Sequence, residues 1–357
     1  MSKILYGVCG EGSGHSSRAR EMARHLVKQG HLIKIVSYDR GIANLKDEFD
    51  VFETEGLHIA SADNKVSKVK TFTHNLKKLR PGHKAVTVLK ENLFKTFKPD
   101  CVITDFEPMT AYLAGHYEIP LISLDNQHRL RYIKLPCPNR LKNDFRLTKN
   151  IIRAMVPKPD VSLITTFYYD KIKNDRTFAF PPILRQEVID EKPSDGSHIL
   201  VYLSFGFDSF VKTIERFNRE TFIVYGYDKH ETNGALTYKP FSKKGFLRDL
   251  ATSKAVMATA GFTLMTEAFY FRKPYLALPM AGQFEQEING VLMEKMGYGK
   301  NMTCISEEAA GDFLYRLPDY KESLAGYSAE DNTKITQKLD ELLENDCRLL
   351  KKFQRDR

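Results

Sequence analysis

Residues 8–19, VCGEGSGHSSRA, set Gly10, Gly12 and Gly14 ahead of His15, where a loop runs into a helix. Such a turn lets backbone approach a ligand closely, and the helix start behind it offers free N–H groups and a positive dipole end to an anion. Gly12, Ser13 and Gly14 are therefore expected to touch a phosphate-bearing donor. Imidazole titrates near neutrality, so His15 at this mouth suits general base work. The plainer reading of His15 is a polar surface residue. A dinucleotide fingerprint, G-x-G-x-x-G, fails because His15 stands at its third glycine, although Asp39 follows the second strand as a ribose-binding acid would. No GK[ST] follows, which excludes a Walker loop.

Two acids compete with His15 for the base role. Asp105 and Glu107, in TDFEP, follow the apolar run 101–104 and should reach the same site; either could equally serve in capping a helix at Pro108. In DNQH, Gln127 and His128 end the run 120–124 and are expected on the acceptor side, or in loop hydrogen bonds. In the second half a strand ends at Gly261, a helix starts near Phe262 and Thr263, and Glu267 lies one turn in, where a carboxylate could accept two ribose hydroxyls. Glu285, Gln286 and Asn289 open a later helix, and Gln286 and Asn289, three apart, share a face. Carboxylates and amides so arranged suit a polyhydroxylated ligand such as a sugar. No D-x-D occurs, so neither a metal-bridged diphosphate nor a cofactor is expected, and helix N-termini would stabilise a leaving nucleoside diphosphate.

Short apolar runs alternating with helical patterns must position these residues. ILYGV (4–8), a helix with Ala19, Met22, Ala23, Leu26 and Val27 on one face, a stop at Gly30 and HLIKIVS make one βαβ unit. CVIT, a helix near PMTAYLAGHY, PLISL and VSLITT continue the alternation. FPPILRQEVIDEKPSDGS (180–197), rich in proline and charge, reads as a linker, after which HILVYLS, TFIVYG, KGFLRDLATS, AVMATA, FTLMTEAFYF, PYLALP and FEQEINGVLMEKMG restart the pattern. The fold class is α/β with mainly parallel sheets. The expected domains are 1–180, a linker 181–197, 198–327, and a C-terminal helix over 328–357 opened by Ser328 and Asp331 in capping-box spacing.

The 357 residues suffice for two domains, and 42% apolar with 28% charged residues is the composition of a globular protein. No stretch is long and apolar enough to span a bilayer, and the strand pattern begins at once after Met1, so no signal peptide and a cytoplasmic location are expected. Five scattered cysteines with no CxxC argue against a zinc site or a disulfide framework. Net charge is +9, and ten Lys/Arg face one acid, Glu91, between Lys65 and Lys98. That run could dock an anionic membrane surface at the inner face of the cell, or a lipid-diphosphate. No RNA-binding aromatic signature or zinc-finger spacing accompanies it, so nucleic acid is not expected.

Taken together, AGFTLMTEAFYFRKPYLALPMAGQFEQEINGVLMEKMG resembles the donor-binding signature of GT-B nucleotide-sugar glycosyltransferases, nearest the family 28-like group that includes the peptidoglycan N-acetylglucosaminyltransferase. GSGH (12–15) is similar to that group's first loop, and Gly261, Glu267, Gln286 and Asn289 match its second signature. DFEP (105–108) and DNQH (125–128) are similar to a little-characterised microbial branch. The resemblance implies two Rossmann-like domains facing across a cleft, the first binding a glycan or lipid-linked acceptor and the second a nucleotide-sugar, UDP-linked, with inverting transfer. It implies ribose binding by Glu267, sugar or phosphate contacts from Glu285, Gln286 and Asn289, and a helix start at Gly261, Thr263 and Leu264 beside the donor. Ser204 and Gly206 in LSFG would approach the diphosphate, and Phe246 and Leu247 would frame the base. Two departures, Ser13 where the group usually has glycine and Glu285 where some relatives have Asp or Gln, bear on the donor sugar rather than the class. Rival functions are a nucleotide-sugar epimerase of the same architecture, a non-catalytic sugar-nucleotide-binding protein and a nicotinamide-dependent oxidoreductase.

Overall fold

The structure, a computed structural model, describes residues 1–54, 61–62, 65–66, 87, 89–203 and 206–354. The chain forms two compact units, the first made of Met1–Ser61, Ser67–Arg185 and Asp331–Arg357, the second of Ala62–Val66 and Gln186–Glu330.

In chain order the strands of the first half are β1 (Lys3–Val8), β2 (Leu32–Ser37), β3 (Val51–Glu53), β4 (Ser61–Ala62), β5 (Lys65–Val66), β6 (Cys101–Asp105), β7 (Leu121–Asp125), β8 (Val161–Thr165) and β9 (Thr177–Phe180). β4 and β5 pair with each other; the rest form one sheet in the order β3-β2-β1-β6-β7-β8-β9. Every pairing in that sheet is parallel. Helices cover both faces, which is why β6, β7 and β8 are buried at every residue and show no apolar–polar alternation between core and solvent. The helix Gly14–Lys28 lays Ala19, Met22, Ala23 and Leu26 against the sheet, whereas Val27 lies 51% exposed, past the edge of the stripe. Gly30, at φ +82°, ends this helix and turns the chain into β2.

The second unit repeats the plan with β10 (His198–Tyr202), β11 (Thr221–Tyr225), β12 (Glu231–Asn233), β13 (Leu236–Tyr238), β14 (Ala255–Ala258), β15 (Tyr275–Ala277) and β16 (Gly299–Asn301). Their order is β12-β13-β11-β10-β14-β15-β16, parallel except for the β12–β13 edge hairpin. In each sheet the chain winds outward from a central strand and then restarts on its other side, between β1 and β6 and between β10 and β14. Open α/β sheets bind ligands beyond the strand C-termini at such reversals.

The residues expected as a linker include a short helix, Gln186–Asp190. The final helical segment runs Thr333–Lys352 rather than from Ser328, and non-helical backbone at Glu344–Cys347 breaks it in two. The Ser328 hydroxyl donates to Glu330 at 2.8 Å and Asp331 accepts the Thr333 N–H at 2.9 Å, so the expected box does not form. Ile335, Leu339, Leu342 and Leu343 join the core of the first unit with Tyr6, Met22 and Leu26. Of the basic run, Lys68, Lys70, Lys77, Lys78, Arg80 and Lys84 lie outside the described residues. Lys95, on the π-helix Lys90–Phe97, pairs with Glu91 at 2.6 Å.

Candidate functional site

In the first unit the site forms at the β1/β6 reversal. The loop leaving β1 crosses the end of β2 so closely that a Cβ on Gly10 would lie 1.9 Å from the Tyr38 carbonyl oxygen, and Gly12 has φ +74°. Those two positions need glycine for different reasons, close approach and left-handed backbone. The helix then starts at Gly14 with Ser13 as N-cap, whose side chain caps nothing. The first N–H groups of this helix are thus left without a side-chain cap and suit an anion.

His15 stands on the first turn, and Asp105 ends β6 in register with Val8. Nδ1 of His15 lies 2.7 Å from Oδ1 of the buried Asp105. One turn further along, Arg18 grips the same carboxylate with two donors, Nε to Oδ2 at 2.6 Å and Nη2 to Oδ1 at 2.7 Å. A carboxylate can only accept, so the His15 Nδ1 proton is assigned to Oδ1; Nη2 of Arg18 also lies 2.9 Å from Nδ1, and with that tautomer the contact is not a hydrogen bond. Nε2 of His15 then carries the lone pair. Asp105 raises the pKa of the Arg18 guanidinium despite burial, which alone would lower it. Arg18 was missed by sequence reasoning, although its spacing of three from His15 puts both on one helix face.

Phe106, at φ +58°, turns the chain sharply between Asp105 and Glu107. That conformation is strained for a bulky residue and separates the fates of its neighbours. Glu107 does not face His15. It is fully buried as the N-cap of the helix Pro108–His116, accepting from Met109 N at 2.8 Å, Thr110 N at 2.7 Å and Thr110 Oγ1 at 2.5 Å. Burial raises its pKa against the pull of those hydrogen bonds. The base role expected for Glu107 therefore passes to its alternative, the cap. Glu107→Ala should cost about 1–2 kcal/mol in urea denaturation and spare turnover; lost turnover at unchanged stability would return Glu107 to the chemistry.

Beside this pair, Asp125 ends β7 and holds His128 with both oxygens, accepting the backbone N–H at 2.8 Å and Nδ1–H at 2.7 Å. Burial would raise the Asp125 pKa, but His128 and Arg18 outweigh it and hold it below the ordinary range. The buried Nε2 of His128 makes no hydrogen bond to the described residues, and its ring stacks on Tyr132 at 5.7 Å. Gln127 is also buried here. Asp125 is the second residue the sequence reading passed over; the Asp-x-x-His spacing was its signal.

In the second unit, Tyr202 ends β10 and Gly206 follows at φ +101°, while Ser204 lies outside the described residues. Across the reversal Gly261 is the N-cap of the helix Phe262–Tyr270, again without a side-chain cap, with Thr263 and Leu264 half-buried in its first turn and Glu267 buried one turn on. Glu285 is half-buried at the start of the helix Phe284–Lys295. Gln286 and Asn289 serve differently from expectation. Gln286 Oε1 accepts the Met280 N–H at 3.0 Å, and Asn289 Nδ2 donates to the Ala260 carbonyl at 2.8 Å. They tie the ends of two loops and so fix where Gly261 and its helix start stand.

Phe246 and Leu247, expected beside the base, are buried in the helix Lys243–Thr252. Phe246 meets Tyr202 and Tyr225 edge-on, both at 5.1 Å, and Phe241 at 5.7 Å. The outward surfaces of this cluster belong to Tyr202, 38% exposed, and Phe241, 57% exposed. Phe246 is the support and those two are the shelf. Among the described residues no group of three or more His, Cys, Asp or Glu stands close enough to hold a metal.

Comparison with known proteins places this geometry. The sequence model described as Glycosyl transferase family 1 matches residues 2–318. An uncharacterised glycosyltransferase of Methanosarcina mazei is 26% identical over 338 residues, covering 84% of this chain and 86% of the relative. One of Methanosarcina acetivorans is 25% identical over 338 residues, with the same coverage of 84% and 86%. Among solved structures, the glycotransferase of kitacinnamycin superposes with a TM-score of 0.68 at 14% identity, over 95% of this chain and 98% of the other. CalG4, the calicheamicin glycosyltransferase, gives 0.68 at 12% over 97% and 99%. VinC, solved in complex with dTDP, gives 0.63 at 13% over 98% and 98%. These share the fold, the two Rossmann-like domains of GT-B.

Proposed function

The chain belongs to glycosyl transferase family 1 and is a glycosyltransferase, and from that premise we propose that its second unit binds a nucleotide-sugar while its first activates an acceptor hydroxyl. The observation that carries this reading is the hydrogen bond of 2.7 Å between His15 and Asp105. A base must be oriented and must keep its lone pair for the substrate. Asp105 accepts the Nδ1–H hydrogen bond and stays ionised, which leaves Nε2 of His15 to accept the proton of the acceptor hydroxyl. As that proton leaves, the acceptor oxygen bonds to the anomeric carbon, the bond from that carbon to the phosphate oxygen breaks, and the nucleoside diphosphate departs with the electron pair. One direct displacement inverts the anomeric centre. Asp105 then faces the imidazolium, as the third group of a base assembly does.

In the second unit the nucleobase rests on Tyr202 and Phe241, Glu267 accepts the ribose hydroxyls, and the uncapped helix start at Gly261 with Gly206 receives the diphosphate. Thr263, Leu264 and Glu285 border that site, and Gln286 and Asn289 act through the loops they hold. Gln127 and His128 contact the acceptor, a glycan or lipid-linked hydroxyl compound, with Asp125 fixing the imidazole. Each N–H donor of this kind on a developing anion is worth about 3 kcal/mol of transition-state stabilisation.

A thermal-shift panel tests the donor. UDP, dTDP and their sugars belong in it, since VinC was solved with dTDP, and NAD serves as the contrasting ligand. The cognate nucleoside diphosphate should raise the melting temperature in proportion to ligand excess, by about 2.7 kcal/mol of stabilisation at a hundredfold excess over Kd. Phe241→Ala should shrink that shift, since base stacking on an aromatic ring is worth about 1–3 kcal/mol. A larger shift with NAD than with every nucleoside diphosphate would defeat the reading. Epimerisation of the donor sugar without acceptor would replace transfer by the epimerase alternative.

A further inference from the structure

The helix Lys142–Met155, KNDFRLTKNIIRAM, carries three stripes. Leu141 and Ile152 are buried and Phe145 half-buried, which is the stripe that seats the helix. Lys142, Arg146, Lys149 and Arg153 recur at spacings of four, three and four and make a basic stripe, with Asp144 the one acid of the helix. Leu147 and Ile151, four apart, form a third stripe that turns outward, 44% and 48% exposed. Asn143 and Asn150 lie between the basic and the exposed apolar edges, and Ala154 extends the latter. Tyr112 from the helix Pro108–His116, 53% exposed, donates its hydroxyl to the Ala154 carbonyl at 2.7 Å and so adds an aromatic ring at that end. The apolar sector of this helix is thus wider than the first unit covers.

We propose that this face docks on a lipid bilayer rich in anionic headgroups. The argument is charge complementarity joined to shape. Two aliphatic side chains and a tyrosine make too small an apolar surface for a stable protein interface. They suffice for an amphipathic helix lying in the interfacial plane, where an apolar edge enters the acyl boundary and Lys and Arg on long stems reach the phosphates. Four bases against one acid bias that contact toward anionic lipid. The same helix packs against the short helix Arg129–Tyr132, which follows directly on Gln127 and His128, so docking would hold the β7 end close to the membrane. The inference uses none of the residues between Lys65 and Lys98 and does not depend on the glycosyltransfer reading.

The chain has no tryptophan, which makes a clean reporter available. Leu147→Trp in the full-length protein carries the single indole on the docking edge. With vesicles of phosphatidylglycerol in phosphatidylcholine, its emission should shift to the blue and be quenched by brominated acyl chains. Tyr315→Trp, at a position 86% exposed in the second unit, should do neither. In sedimentation, Leu147→Glu/Ile151→Glu should lower the bound fraction about tenfold or more relative to the parent, and raised salt should lower it for the parent. A circular-dichroism melt establishes that the double variant is folded. The proposal is overturned if the parent fails to bind anionic vesicles, or if the folded double variant binds as well as the parent. It is equally overturned if the Leu147→Trp emission responds to heparin or single-stranded RNA and not to vesicles.

Discussion

His15→Ala should lower the transfer rate by about 10²–10⁴-fold, the range for loss of a positioned general base, while leaving the thermal shift given by the nucleoside diphosphate intact. The expectation rests on the proposed division of labour within the chain: His15 belongs to the first unit, and Glu267 and the Gly261 helix start, proposed for the donor, belong to the second. A base that acts only in the transition state affects kcat more than binding. Asp105→Asn should fall on the same side, because an amide can present its NH2 to Nδ1 and favour the tautomer whose Nε2 is protonated. Rates are compared under single turnover, so that product release does not mask the chemical step. Unchanged rates in both variants would remove the pair from the mechanism. A loss confined to donor binding would make His15 an anion contact at its helix start instead.

Arg18→Leu should cost about 3–5 kcal/mol of stability, the penalty for stranding one half of a buried ion pair. Asp105 is buried and Arg18 nearly so, and the guanidinium supplies two hydrogen bonds to that carboxylate. Without it Asp105 keeps only His15 as a side-chain donor among the described residues. The companion variant, Arg18→Leu/Asp105→Leu, discriminates between lost packing and lost charge compensation. Apolar replacement of both partners is often neutral, so the double variant should unfold at a higher urea concentration than Arg18→Leu alone. If the double variant is the less stable of the two, the cost of Arg18→Leu does not come from an uncompensated charge on Asp105.

The second prediction turns on Arg18, which no motif in the sequence announced. Its neighbours were legible because loop chemistry is local: Gly10 and Gly12 answer to steric demands within a few residues, and His15 follows them into the helix. The alternation of apolar runs with helical stripes made the two parallel sheets legible too, since strands covered on both faces leave an unbroken apolar signature. Even where that reading erred, at Val27 and at the Ser328 start, the element was right and its edge was wrong. Hydrogen bonds made by single side chains set such edges.

The acids show where local reasoning stops. Asp105 and Glu107 are two residues apart, equally acidic and equally buried, and the sequence treats them as equals. The left-handed turn at Phe106 sends one to His15 and Arg18, ninety and eighty-seven residues away in the chain, and the other into its own helix. Gln286 and Asn289 are likewise polar groups on one helix face, and the folded chain commits one end of each amide, Oε1 to the Met280 N–H and Nδ2 to the Ala260 carbonyl. Tyr202 and Phe241 carry no motif in the sequence, and only the packing of Phe246 beneath them leaves their rings outside.

What the amino-acid sequence determined unaided is the pair of α/β units, the glycine turn and the helix starts. These follow from periodicity and backbone sterics, which act over a handful of neighbouring residues. The tertiary structure alone decided which polar groups are available and which are consumed. A side chain's hydrogen bonds are fixed by whatever the chain folds against it, and partners such as those of Asp105 lie tens of residues away.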